Sequence, residues 1–338
     1  MTLLITGVAG FIGAAVASRL LRDGEIVFGI DNLCPYYDVK LKEARLALLQ
    51  RQPGFRFAHV DIADRAAMAD LFQSERFDRI VHLAAQVGVR YSLEQPLMYV
   101  DSNLVGFSHV LEGARAQRVR HFMFASTSAV YGGNRKLPFS ESDNVDHPIT
   151  LYGATKKSNE LTAHSYAHLY GLPCTGLRFF TVYGPWTRPD MALFKFARAI
   201  VAGDKLPVYN SGRMVRDFTY IDDVVEAVTR LLARPPAAGE GDDATGAPYR
   251  IFNIGCGRRI ELLDYVRALE AAFGREAELQ LLPMQPGDME ATMADVSRLE
   301  RVTGYRPSTT VEEGVRRFVD WYVAHYGAAP SGPGNDHG

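Results

Sequence analysis

The 338-residue sequence has only three cysteines, Cys34, Cys174 and Cys256, odd in number and far apart. That argues against a disulfide framework and against a metal site, and points to a reducing, cytoplasmic setting. Long apolar runs are missing too: no stretch approaches the ~20 residues needed to cross a bilayer. Met1 to Thr6 leads straight into an apolar strand, which leaves no room for a signal peptide. Neither sign of charge dominates. Thirty-seven Lys and Arg stand against 39 Asp and Glu, a net charge of -2, so no broad basic field is available to hold nucleic acid. Internal repeats are absent. The rest is ordinary for a folded chain, 47% hydrophobic and 22% charged, which excludes disorder as the main theme. At about 150 residues per domain the length corresponds to roughly two domains.

Short apolar runs alternate with helical patterns through the first half. Strands are expected at Leu3–Ile5, Ile26–Ile30, Phe55–Val60, Arg79–Leu83, His121–Ala125 and Cys174–Arg178. Helices are expected at Phe11–Leu21, about 38–50, Asp64–Phe72, 97–117 and Tyr152–Tyr170. Repeated strand–helix units with apolar strands imply a parallel sheet covered on both faces and wound in both directions. The second half is more mixed. Strands are expected near 207–209, 217–220 and 249–254, and helices at 191–202, 222–233, 261–273 and 311–325. Residues 234–248, rich in Pro, Gly, Ala and Asp, read as a mobile surface loop, and 327–338 as a disordered tail.

Gly7-Val8-Ala9-Gly10-Phe11-Ile12-Gly13 lies between the first strand and the first helix. Glycines there permit a tight turn and close approach of a pyrophosphate to backbone N–H groups, and the helix N-terminus favours its charge. The spacing is GxxGxxG. Asp31 ends the second strand 18 residues after Gly13, close to the ~20 expected of an acid that holds a ribose 2′-hydroxyl. A carboxylate there repels a 2′-phosphate, so NAD is favoured over NADP. Asp61, after the third strand, is placed to meet the adenine amino group or to cap a helix. The fold class is therefore α/β, a doubly wound, Rossmann-type parallel sheet with a smaller mixed α/β substrate-binding part.

Tyr152 and Lys156 are four residues apart at the start of a helix, so both side chains face one ligand. A nearby cation lowers a tyrosine pKa, and such a tyrosine accepts a proton from a sugar hydroxyl while hydride leaves the same carbon. Ser126-Thr127-Ser128 ends the strand before them, where ligands bind in parallel α/β sheets. All three hydroxyls are candidates to hold a sugar.

Taken together, these pieces resemble the extended short-chain dehydrogenase/reductase family, in its nucleotide-sugar-modifying branch. The likeness runs from Thr2 to about Tyr326 and includes Leu83-Ala84-Ala85-Gln86, Ser102-Asn103-Leu104, Arg216-Asp217-Phe218-Thr219-Tyr220 and Pro286-Gly287-Asp288. Within the branch the chain is most similar to UDP-glucuronate 4-epimerases, through Gln86-Val87-Gly88-Val89-Arg90-Tyr91-Ser92 and the run from Thr181 to Phe196. Family members usually carry glycine where Thr187 stands.

The resemblance implies a homodimer built on the helices near 97–117 and 152–170, and NAD as cofactor. It implies that Thr127 assists Tyr152 and that Lys156 binds the nicotinamide ribose. NAD would then lie along Gly7, Gly10, Phe11, Ile12 and Gly13, with Asp31, Asn32, Asp61, Ile62, Leu83, Ala84 and Ala85 completing its contacts. Arg216 and Asp288 would meet the diphosphate and the uridine ribose, with Lys195, Val208 and Tyr209 nearby. Dehydratases and uronate decarboxylases of the superfamily place an acid just after the strand-end hydroxyls, where this chain has Ser128 and Ala129. Ser128, Thr181 and Arg188 instead offer donors to a substrate carboxylate, and Arg90 is a further anion ligand. For Arg188 the alternative is an ion pair with Asp190.

Residues 1–178 with about 215–255 are expected to form the NAD-binding domain, and about 179–214 with 256–326 the nucleotide-sugar-binding domain. The expected activity is C4 epimerisation of UDP-glucuronate through a 4-keto sugar. A 4-epimerase of neutral UDP-hexoses or N-acetylhexosamines, a UDP-glucuronate decarboxylase and a non-catalytic nucleotide-sugar-binding protein stay open as alternatives.

Overall fold

The structure, a computed structural model, describes residues 1–240, 244–284 and 289–327. The first half runs β1 (Thr2–Thr6), α1 (Phe11–Arg22), β2 (Ile26–Asp31), α2 (Val39–Gln50), β3 (Phe55–His59), α3 (Arg65–Ser74), β4 (Arg79–His82), α4 (Tyr91–Glu94) and α5 (Pro96–Tyr99). A π-helical segment, Val100–Gly106, leads into α6 (Phe107–Gln117), β5 (His121–Thr127), α7 (Leu151–Tyr170) and β6 (Cys174–Phe179). The second half adds β7 (Thr181–Tyr183), α8 (Ala192–Ala202), β8 (Leu206–Val208), β9 (Val215–Arg216), β10 (Phe218–Tyr220), α9 (Ile221–Leu232) and β11 (Tyr249–Ile254). β12 (Ile260–Glu261), α10 (Leu262–Phe273), β13 (Leu279–Leu281), α11 (Ser297–Thr303) and α12 (Val311–Tyr326) follow.

Seven strands form one sheet in the order β11-β6-β5-β4-β1-β2-β3, every pairing parallel. β1, at its centre, buries Leu3, Leu4 and Ile5 completely. Alternate residues feed two layers: Leu3 and Ile5 pack with α1 and α9, Leu4 with α3 and α6. Burying each such side chain contributes about 1.5–3 kcal/mol. The chain order reverses beside β1, since β2 lies on one side and β4 on the other. That switch point, at the carboxyl ends of the strands, is where open α/β sheets bind ligands. Among the described residues no helix is long and apolar enough to cross a membrane.

One expectation needed correction. The helix read at 97–117 is not one continuous α-helix, because the π-helical segment interrupts it. The short strands β7, β9, β12 and β13 and the helices α4, α5 and α11 carry too few residues for a periodic signal. The tail from 328 and residues 241–243 of the loop at 234–248 lie outside the described residues.

Candidate active site

A cleft of about 610 Å³ opens over the carboxyl ends of β1, β2, β4 and β5. Its floor is the glycine loop. Gly7 takes φ +71°, and a Cβ there would stand 2.7 Å from the amide nitrogen of Ala84. A Cβ on Gly13 would stand 2.1 Å from the Gly7 carbonyl oxygen. Both positions therefore exclude any side chain, which lets the loop turn and α1 pack close beneath it. Asp31 is buried, not solvated: its carboxylate accepts from the Ala9 amide (3.0 Å) and the Leu33 amide (2.8 Å). Asn32 donates to Asp61 at 3.0 Å. The α3 cap is Asp64, which accepts from Ala66 and Ala67, so the capping alternative for Asp61 falls. Gly7, Gly10, Phe11, Ile12, Gly13, Asp31, Asn32, Asp61, Ile62, Leu83, Ala84 and Ala85 all line the cleft. A glycine cradle at a helix N-terminus with a carboxylate at the end of β2 fits the adenosine and diphosphate of NAD.

α7 places the catalytic candidates. Its N-cap Thr150 accepts from the Gly153 amide at 3.0 Å, which starts the helix beneath β5. The buried face of α7 is polar where it meets the strand ends, with Lys156, Asn159 and Glu160 at most 3% exposed. Lys156 donates to the Ala125 carbonyl at 2.9 Å, and burial pushes its pKa down to about 7. The Tyr152 phenol is raised by burial and pulled back by the Thr127 hydroxyl and the Arg188 charge. Lys156, expected to depress it, is not among the causes of this shift, which burial dominates. Of the three strand-end hydroxyls, Ser126 is committed elsewhere. It donates to Glu160 at 2.6 Å, within the buried Glu160–Arg178 ion pair. Thr127, one residue further and so on the other face of β5, and Ser128, which opens the 3-10 turn after the strand, line the cleft.

Thr181, Arg188 and Arg216 line the same cleft. Arg188 makes a two-pronged pair with Asp190, at 2.9 and 2.8 Å, so the ion-pair alternative holds while the guanidinium still faces the cleft. Tyr36 donates to the same carboxylate at 3.2 Å. The left-handed residue of this loop is Trp186, at φ +67°. Thr187 is not among the positive-φ residues and needs no such freedom. Four expected contacts among the described residues, Lys195, Val208, Tyr209 and Arg90, do not line the cleft. The amphipathic register of α8 turns Lys195 to solvent and Phe194 and Phe196 inward. Val208 is wholly buried in the apolar core. Arg90 sits over the Tyr209 ring, 5.2 Å from its centroid. Asp288 lies outside the described residues.

Sequence reasoning named Asn103 only as part of a matching piece and gave it no role. In the π-helical segment its side chain accepts from the Gln86 amide (2.8 Å) and donates to the Gln86 carbonyl (3.0 Å) and the Thr155 hydroxyl (3.1 Å). Its carbonyl accepts from Asn159 at 2.6 Å. The loop after β4 is thereby fastened to α7. An asparagine inside an otherwise amphipathic helical run was the available signal. Tyr36, Tyr37 and Lys42 also line the cleft, from a segment that reads as merely polar.

The doubly wound sheet, the glycine cradle and a Tyr–Lys–Thr constellation at the switch point define a nucleotide-cofactor enzyme acting on a hydroxylated substrate. The chain belongs to the NAD dependent epimerase/dehydratase family, whose profile matches residues 3–255. It is 53% identical over 334 residues to a probable UDP-glucuronate 4-epimerase of Rhizobium meliloti, covering 96% of this chain and 98% of that one. Its structure resembles UDP-glucuronic acid 4-epimerase from Bacillus cereus, solved with UDP-glucuronic acid and NAD, at TM-score 0.86 and 31% identity over 95% and 98% of the two chains. The UDP-glucose 4-epimerase of Thermotoga maritima superposes at TM-score 0.85 with 29% identity, covering 96% of this chain and all of that one.

Proposed function

We propose that this protein is an NAD-dependent epimerase that interconverts UDP-glucuronate and UDP-galacturonate at C4. The observation that carries the reading is one cleft lined by Tyr152, Thr127 and Lys156 together with Ser128, Thr181 and Arg188. NAD, when bound, supplies a reversible hydride acceptor for C4. Tyr152 removes the C4 hydroxyl proton and later returns it, with the Thr127 hydroxyl stabilising the phenolate. Lys156 holds the nicotinamide ribose, and Arg216 and Asp288 hold the uridine diphosphate. The 4-keto uronate is a β-keto acid that is prone to lose carbon dioxide. Ser128, Thr181 and Arg188 hold its carboxylate so that the scissile C–C bond stays out of line with the carbonyl π system. No acid stands at Ser128 or Ala129 to serve dehydration or decarboxylation.

The test is incubation with UDP-glucuronate, followed by NMR of the sugar protons. UDP-galacturonate is expected, and Tyr152→Phe lowers the rate by about 10²–10⁴-fold. A UDP-pentose as main product, or faster turnover of UDP-glucose, overturns the reading. The second outcome has its own support, since Asp190 already occupies two nitrogens of the Arg188 fork.

The remaining inferences concern assembly and place. The first 178 residues with about 215–255 serve the cofactor, and about 179–214 with 256–326 serve the sugar nucleotide. α9 beside α1 and β11 at the sheet edge are the returning segments that support this interleaved division. Leu97 and Val105, and on α7 Leu161 and Leu169, are exposed, which supports a homodimer through these helices. Leu161→Glu is expected to yield monomers by light scattering. Three free cysteines support a cytoplasmic location.

A further inference from the structure

Arg45, on α2, belongs to no feature described so far. Its side chain is 2% exposed, yet among the described residues no carboxylate lies within ion-pair distance of it. Its partners are neutral oxygens from three segments. Nη1 donates to the Ala9 carbonyl at 2.9 Å and to the Tyr37 hydroxyl at 2.8 Å. Nη2 donates to the Trp186 carbonyl at 2.6 Å. A buried guanidinium with no ion pair, its charge felt by Asp31 only at longer range, is costly, and such a group calls for an explanation.

The two carbonyls belong to the two halves of the active site. Ala9 lies in the glycine loop, and its amide also donates to Asp31. Trp186 stands two residues before Arg188, in the left-handed region, which L side chains rarely adopt. The direction in which the chain leaves Trp186 sets where Arg188 faces the cleft. One planar fork therefore holds both the turn that carries the cofactor's diphosphate cradle and the strained turn that carries the carboxylate-binding arginine. A lysine retains the charge but cannot reach both carbonyls, because its donors radiate from one nitrogen.

We propose that Arg45 is a positioning residue that ties the cofactor loop to the substrate-carboxylate loop, so that occupancy of either loop is felt at the other. The inference rests on the UDP-glucuronate reading for its substrate half only; the cofactor half stands on the glycine loop. Because coupling between two bound ligands is reciprocal, it can be read from binding alone.

The experiment compares the full-length protein with Arg45→Lys and Arg45→Met, all in a Tyr152→Phe background that binds without turnover. Calorimetry gives the dissociation constant of NAD with and without saturating UDP-glucuronate, and with saturating UDP as the control that lacks a carboxylate. In the Arg45-containing protein UDP-glucuronate is expected to tighten NAD at least fivefold, and UDP to do so less. Arg45→Lys is expected to weaken NAD at least tenfold and to reduce the UDP-glucuronate effect to below twofold, with thermal melting showing that it folds. If Arg45→Met does not fold, Arg45→Lys alone decides. Unchanged NAD affinity and undiminished coupling in Arg45→Lys overturn the proposal. So does a lowered melting temperature with both quantities intact, which marks a merely structural role. Failure of the wild-type protein to epimerise UDP-glucuronate overturns the substrate reading instead and leaves the NAD comparison as an independent measure of Arg45.

Discussion

A lysine buried beneath strand ends cannot keep its ordinary charge. Lys156 sits at about 7 in the folded protein against 10.5 for the free side chain. Between those values the unfolded chain binds more protons than the folded one, so Lys156 makes stability rise with pH, by up to about 1.4 kcal/mol per unit. Its contribution is complete above 10.5 and is lost as pH falls toward 7. Lys156→Met is expected to flatten the stability profile, read from urea midpoints at pH 7, 8 and 9. An undiminished slope in that variant removes Lys156 as its source. Arg188 is a different case, since Asp190 compensates its burial and its charge persists. Arg188→Ala is expected to release a UDP-pentose beside the epimer, because the keto acid loses the fork that orients its carboxylate. An unchanged product ratio by NMR would end that assignment.

Among the elements, the π-helical segment Val100–Gly106 has the clearest mechanical role. π-helical turns carry one residue more than the α-helix needs and mark functional sites. Here that residue lets Asp101 and Ser102 line the cleft while Asn103 clamps Gln86 and Thr155. Deleting the exposed Val105 is expected to restore α-helical register, rotate the preceding turn by about 100° relative to α6, and pull Asn103 from its partners. Misplacement on this scale costs about 10²-fold in rate, with helix content by circular dichroism nearly unchanged. Full activity in the deletion variant would show that the register is not needed. The extra residue was invisible in the sequence, because apolar spacing does not distinguish a π turn from an α turn within a long run.

At the scale of the whole molecule, burial of titratable groups sets the acid limit. His82 and His121 are driven down to about 3 and about 4, chiefly by burial. Each is neutral when folded and takes up a proton when unfolded below about 6.5. Their contribution is complete above that pH and is lost as pH falls toward 4, by up to about 1.4 kcal/mol per unit from each. His121→Asn is expected to make the urea midpoint less steep between pH 6.5 and 4.5 than in the parent. An identical slope would place the acid lability elsewhere, among the carboxylates.

The sequence by itself determined the wound order of strands and helices, the phosphate cradle and the Tyr–Lys pair. Each is local: a turn that admits no Cβ, a 3.6-residue period, four residues on one helical face. Tertiary structure alone decided what those groups meet. Desolvation lowered Lys156 and raised Tyr152, strand alternation sent Ser126 to Glu160, and Asp190 engaged Arg188. Packing also decided that the Val208 side chain enters the core and that Lys195 stands on the exposed face of α8. The roles of Arg45, Asn103 and Trp186 came into view only in the fold, because their partners lie tens to more than a hundred residues away. Backbone oxygens from distant loops leave no mark on the spacing of a sequence.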